Sequence, residues 1–196
     1  MRQPRISRVL VGFVVLAAVS PAVASATAGD VASHGVGRAT VRSVTGAVLG
    51  SVRFEVSNRK ILVTGRLSGI APGFHGFHVH AVGVCDPNST DPNGVVVPFL
   101  TAGGHLNTGG TSHGAHAGDL PSLRVSADGT AVSVTENDQL NAAALFDADG
   151  SAIIIHALPD NFAHIPPRYA PAGPDATTLA TGDAGGRIAC GVVSRS

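Results

Sequence analysis

Short runs of alternating apolar and polar residues, each closed by turn residues, constrain the fold of this chain most. Val52, Phe54 and Val56 alternate with Arg53 and Glu55. The turn Ser57-Asn58-Arg59 follows, and Ile61-Leu62-Val63 resumes the apolar text. Successive side chains on a strand point to opposite faces, so this pattern marks a β-hairpin. Similar text recurs at Val41, Val44 and Val48, through Phe74 to Val82, and at Leu123-Arg124-Val125. It returns at Ala131 to Val134 after the turn Ala127-Asp128-Gly129, in the apolar run Ala152 to Ile155, and from Arg187 to Val193. No segment has a long helical period. The expectation is an all-β domain, an eight-stranded antiparallel Greek-key barrel or sandwich. Two long segments break the strand text. Cys85 to Asp119 is rich in Gly, Pro, Asn, Thr and His, and Ala157 to Gly186 holds five of the twelve prolines. Loops this long in a compact domain are usually functional or disordered.

The N-terminus has the three-part pattern of a cleavable secretory signal. Arg2, Arg5 and Arg8 open it, Val9 to Ser20 is uncharged and mostly apolar, and small residues follow at Ala22-Val23-Ala24 and Ala24-Ser25-Ala26. A membrane anchor is the alternative, but the apolar run is short for a span of about 20 residues. No cysteine near the cleavage region supports a lipid anchor. The expected organisation is a signal peptide at 1–24, a flexible lead-in at 25–38 with His34 as a solvated residue, and one β domain at 39–196. The mature protein is expected to be exported, secreted or held in the cell envelope, with no membrane span after cleavage. Cys85 and Cys190 then read most simply as a disulfide, with two buried free thiols as the alternative. Closing a loop of about 100 residues contributes up to roughly 4.7 kcal/mol by chain entropy. The formal net charge is zero and charged residues make up only 13%, so no basic patch pointing to nucleic acid is expected.

Nine histidines are the unusual feature of the composition. In His75-Gly76-Phe77-His78-Val79-His80, His78 and His80 share one face of a strand while Phe77 and Val79 face the core. Two imidazoles on one rigid face form half a metal site. His75 has the opposite parity and reads as supporting structure. His105, His113, His116 and Asp119 lie in the first long loop, and three imidazoles with one carboxylate can complete a tetrahedral zinc site. His156 ends an apolar strand with the parity of Ile154 and can join His78 and His80. His164 stands apart from both groups. No nucleophile elbow, phosphate loop or dinucleotide fingerprint is present.

Several of these segments resemble copper/zinc superoxide dismutases. Gly73-Phe74-His75-Gly76-Phe77-His78-Val79-His80 is similar to the copper-binding signature of that family, and Gly182-Asp183-Ala184-Gly185-Gly186-Arg187-Ile188-Ala189-Cys190-Gly191 to its C-terminal motif. Ala102-Gly103-Gly104-His105-Leu106-Asn107 resembles the bridging-histidine segment, and His116-Ala117-Gly118-Asp119-Leu120 the end of the zinc loop. Asp160-Asn161-Phe162-Ala163-His164-Ile165-Pro166-Pro167-Arg168-Tyr169 looks most like exported actinobacterial members.

The resemblance implies that His78, His80, His105 and His156 bind copper, and that His105, His113, His116 and Asp119 bind zinc. Asp160 is implied to orient a ligand of each metal, Arg187 to be the cation beside copper, and Cys85 and Cys190 to form the disulfide. The implied reaction converts superoxide anion to dioxygen and hydrogen peroxide as copper cycles between Cu(II) and Cu(I). A copper carrier on the same fold is the alternative, though a carrier has no need of Arg187. A zinc hydrolase would need an open zinc position, which Asp119 fills better as a fourth ligand. Monomer and homodimer are both left open. The chain departs from the family in three ways. His113 and His116 are only three residues apart, which shortens the zinc loop and predicts weaker zinc binding. Leu106 and Thr108 stand where an aromatic and a proline are common. The second loop has Asp160, Asp175 and Asp183 but only Arg168 as a cation.

Overall fold

Alternation in the sequence becomes alternation of burial in the structure, a computed structural model that describes residues 34–196. The proposed signal peptide and most of the lead-in lie outside the described residues. Strands β1 (His34–Ser43), β2 (Val48–Ser57) and β3 (Lys60–Leu67) form an antiparallel meander. Val52 and Phe54 of β2 and Ile61 and Val63 of β3 are buried, while Arg53 and Arg66 are exposed. The β2–β3 hairpin closes on Asn58 and Arg59, both at positive φ (50° and 63°), as a two-residue turn with the twist of its strands requires.

β1 begins at His34, so the expected lead-in ends earlier than position 38. Gly37 and Arg38 pair both with β2 and with β10 (Ser194–Arg195), which orders this stretch at its C-terminal end. The strand read from Phe74 to Val82 is two strands, β4 (Gly73–His75) and β5 (Phe77–His80), broken at Gly76. A Cβ at Gly76 would strike the Ala184 side chain and crowd those of His78 and His156, so glycine fits the break. β6 (Leu123–Val125) pairs with β4, while β7 (Ala131–Asn137), β8 (Ala152–His156) and β9 (Arg187–Val192) complete the set.

The main sheet has eight strands, in the order β5-β8-β9-β1-β2-β3-β7 with β10 on β1. β4 leads into β5 and β6 into β7, so the β4–β6 ribbon ties one end of this sheet to the other. Phe54, Ile61, Phe77, Val79, Leu120, Ile153 and Ile155 belong to the main core. β8 is buried on both faces. Its Ile153 and Ile155 join that core, while Ala152 and Ile154 pack with Phe99, Ala102 and Cys190 in a smaller cluster beside Cys85. The two long loops hold short helices that the sequence did not announce. A single 3-10 turn covers Leu100–Ala102 in the first, and α2 (Ala176–Thr181) lies in the second, while α1 (Ala142–Leu145) sits between β7 and β8. Asp175 caps α2 by accepting from Thr178 N at 2.8 Å. No helix among the described residues is long and apolar enough to cross a membrane.

Candidate metal centre

β5 supplies the first two imidazoles on the face its alternation dictates. Phe77 and Val79 enter the core, and His78 and His80 are buried on the opposite side. The first long loop is drawn onto the outer edge of β5 by backbone hydrogen bonds. Val79 N donates to Gly118 O at 2.9 Å, Leu106 N to Val79 O at 2.8 Å, and Ala81 N to Gly104 O at 2.9 Å. His105 thereby comes opposite His80, and Asp119 opposite His78. A Cβ on Gly118 would collide with the Val79 carbonyl, so glycine allows this approach. His156 arrives from the end of β8, where a register shift follows Ile155.

Two sets of four donors result, His78, His80, His105 and His156 in one, and His105, His113, His116 and Asp119 in the other. Within a set the donor atoms lie within 4.8 Å of one another. In the second set, Asp119 Oδ1 lies 2.9 Å from His105 Nδ1, 3.2 Å from His113 Nδ1 and 3.3 Å from His116 Nδ1. Tetrahedral zinc with bonds of about 2.0–2.1 Å separates its ligands by about 3.3 Å, so this spacing fits the ion. Among the described residues two buried ring nitrogens, His78 Nδ1 and His116 Nδ1, have no hydrogen-bond partner. Leaving such groups unpaired is unfavourable, and each belongs to one of the donor sets, where a metal ion would satisfy it.

The remote nitrogens are held from behind. His78 Nε2 donates to Asp160 Oδ2 and His113 Nε2 to Asp160 Oδ1, each at 2.8 Å. His80 Nδ1 donates to Gly103 O at 2.9 Å and His156 Nδ1 to Gly185 O at 3.0 Å. Because these partners are acceptors, the proton of a neutral ring is held outside and its bare nitrogen turns inward. Gly182, at positive φ, lets the second loop pass beside Asp160 and His113, where a Cβ would collide with both.

Electrostatics follow from burial and pairing. Burial, with His105 and Arg187 nearby, lowers the His80 pKa well below its usual range. Burial also lowers His105 to about 4, against its bond to Asp119, and lowers His156 to about 3. His113 goes the other way: burial opposes its charge, but Asp119 and Asp160 raise it to about 9. Burial would raise Asp119 and Asp160, yet their histidine partners hold both below the usual carboxylate range.

Arg187 opens β9 and donates to the carbonyls of Phe99 and Gly103. It lines a cleft of about 540 Å³ with His80, His105, His156, Thr181 and Asp183. The Cys85–Cys190 disulfide joins the first loop to the same strand, with Cα atoms 5.7 Å apart, and no described cysteine is free. His75 lies in neither donor set. Its ring nitrogens sit 2.8 Å and 2.9 Å from the carbonyls of His156 and Ala71, tying β4 to β8. His164 and His34 are exposed and outside both sets. The supporting carbonyls of Phe99, Gly103 and Gly185 had no signal in the sequence, because a main-chain oxygen is common to every residue.

The family model for copper/zinc superoxide dismutase matches residues 48–193. The chain is 45% identical over 163 residues to a copper/zinc superoxide dismutase of Mycobacterium tuberculosis, covering 79% of this chain and 68% of that one. It is 42% identical over 162 residues to one of Mycolicibacterium paratuberculosis, covering 78% and 71%. Its fold is similar to the structure of Cu/Zn superoxide dismutase from Brucella abortus, with a TM-score of 0.63 at 28% identity, covering 80% and 98%.

Proposed function

The chain belongs to the copper/zinc superoxide dismutase family, and from its two donor sets joined at His105 we propose how its residues divide the work. It is an oxidoreductase that converts superoxide to dioxygen and hydrogen peroxide, with copper and zinc as cofactors. In our reading His78, His80, His105 and His156 hold copper, and His105, His113, His116 and Asp119 hold zinc. Copper supplies the reversible one-electron chemistry and zinc, which does not change oxidation state, a fixed charge.

The protein's own groups do the rest. Arg187 keeps a positive charge at working pH and draws the anion into the cleft, its fork fixed by two carbonyls. His105 is the one residue common to the two four-donor sets, and in our reading its ring can hold a proton and pass it to the reduced substrate. Asp160 keeps His78 and His113 in the tautomer that presents Nδ1. The signal-like start, the disulfide and the mycobacterial relatives support an exported enzyme of the actinobacterial type. The single observation that carries the reading is the sharing of His105 between the two sets.

The test is to load the purified protein, measure copper and zinc per chain, and follow superoxide decay by stopped flow. One equivalent of each metal with fast decay is expected. A fully loaded protein that leaves superoxide at its spontaneous rate would make the site a copper carrier.

A further inference from the structure

Charge along this neutral chain is unevenly distributed. Residues 31–85 hold six basic side chains, Arg38, Arg42, Arg53, Arg59, Lys60 and Arg66, and one acidic one, Glu55. Residues 86–196 hold four basic and eleven acidic side chains. Overall composition does not show this unevenness in space, because β-pairing brings arginines from distant positions together.

Register places them on the outer face of β1, β2 and β3. Arg38 stands directly opposite Arg53, and Arg53 opposite Thr64. In the next outward row Thr40 faces Ser51, and Ser51 faces Arg66. All three arginines are exposed, and among the described residues none of their guanidiniums has an ion pair or hydrogen bond. Like charges directly opposite on neighbouring strands oppose folding, so the arrangement calls for an outside anion. Glu55 begins the adjoining row, in which Leu62 faces Glu136, and Glu136 is engaged by Lys60 at 3.0 Å.

The same two rows end in apolar residues on β7. Val134 lies opposite Thr64 and Val132 opposite Arg66, and they are 64% and 63% exposed. From Arg38 to Val134 the row crosses three strand spacings, roughly 14 Å. A cationic field beside exposed valines on one sheet face is complementary to a surface with phosphates outside and hydrocarbon just beneath. The histidine sets lie on β5, β8 and the loops, at the other end of the strand order, so the cleft stays clear of this face.

We propose that the outer face of β1, β2, β3 and β7 docks the protein on an anionic phospholipid bilayer, with Arg38, Arg53 and Arg66 on lipid phosphates and Val132 and Val134 at the headgroup boundary. The acidic remainder of the chain is repelled by the same surface, which fixes the orientation. This is peripheral attachment and needs no membrane-spanning segment.

The test is co-sedimentation of the metal-loaded full chain with vesicles of phosphatidylcholine alone or mixed equally with phosphatidylglycerol, over a salt series. The native chain should prefer the anionic vesicles by at least about tenfold at low salt and lose the preference as salt rises. Arg38→Ser/Arg53→Ser/Arg66→Ser, with the same N-terminus, should lose about fivefold per arginine removed. Val132→Ser/Val134→Ser should weaken binding with the salt slope unchanged. Metal content and melting midpoint report whether each variant is folded, and Arg53→Ser alone tests the same effect at smaller amplitude. Equal binding to both vesicle types, or equal binding by native and folded variants, overturns the proposal. Binding to inorganic polyphosphate as tight as to vesicles at matched phosphate also overturns it, assigning the face to a soluble polyanion.

Discussion

Arg187 and His80 converge on one oxygen, the Gly103 carbonyl, which accepts from Arg187 Nη2 at 2.6 Å and from His80 Nδ1 at 2.9 Å. The group proposed to attract substrate and a proposed copper ligand are thus referenced to one point of the first loop. Arg187→Ala should keep both metals but lower the superoxide rate by at least about tenfold, roughly 1.4 kcal/mol of transition-state stabilisation. Arg187→Lys should fall between, since a charge remains without the planar fork. Salt should slow the native enzyme more than the Ala variant. Full metal content with an unchanged rate in the Ala variant would reduce Arg187 to a packing residue.

His116 contributes to the second donor set alone. His116→Ala should therefore lose zinc and thermal stability before it loses all copper-dependent activity. Metal analysis after dialysis, with a melting curve, checks this. A full equivalent of zinc retained by the variant contradicts the ligand assignment.

Asp160 should matter to both metals although it coordinates neither in our reading. Asp160→Ala frees the His78 and His113 rings to turn and to change tautomer, and loss of such a support typically weakens metal binding by about 10–100-fold. Competition against chelators for copper and zinc separately is the measurement. An effect on one metal only would mean that one of the two hydrogen bonds is idle in the loaded protein.

The metal-free protein should be most stable near neutral pH. His105 and His156 take protons in the fold only at about 4 and about 3, whereas the unfolded chain takes them near 6.5. The unfolded state therefore binds more protons between these values, and stability falls as pH drops from about 6.5 toward 3. Asp119 and Asp160, depressed in the fold, add to the loss at the acid end. His113, raised to about 9, contributes stability fully present below about 6.5 and lost as pH rises through about 9. Melting midpoints of the metal-free protein across this range should trace a maximum. A monotonic profile would contradict the pairing of His113 with the two carboxylates.

Cutting the Cys85–Cys190 bridge should cost more than stability. Its removal from a domain of this kind typically costs about 2–5 kcal/mol. It also releases the loop that carries Phe99, Gly103 and His105, so Cys85→Ser/Cys190→Ser should lower activity per bound copper. Thermal melts and metal-normalised rates separate the two effects.

The sequence made the donors legible and left their supports obscure. His78 and His80 were placed by a period of two, and the second set by density of histidine in a loop. The break at Gly76 was hidden because apolar text continues across it, and only the packing of Ala184 against the backbone requires it. The early start of β1 was hidden because Gly35 and Gly37 look like linker, while their partners lie in β2 and at the C-terminus. The cluster of Arg38, Arg53 and Arg66 is obscure in the sequence for a related reason, since cross-strand neighbours come from distant positions.

The two oxygens of Asp160, each occupied by a ring from a different donor set, also bear on how the protein acquires its metals. On the proposed assignment, fixing His113 for zinc fixes the carboxylate that fixes His78 for copper, and the reverse holds equally. Such an arrangement is a thermodynamic linkage: whatever factor zinc adds to copper affinity, copper must add to zinc affinity. Neither ion then has one dissociation constant, only one value with its companion present and another without it. A cell compartment poor in zinc would on this account yield a protein that also holds copper less well, even where copper is plentiful.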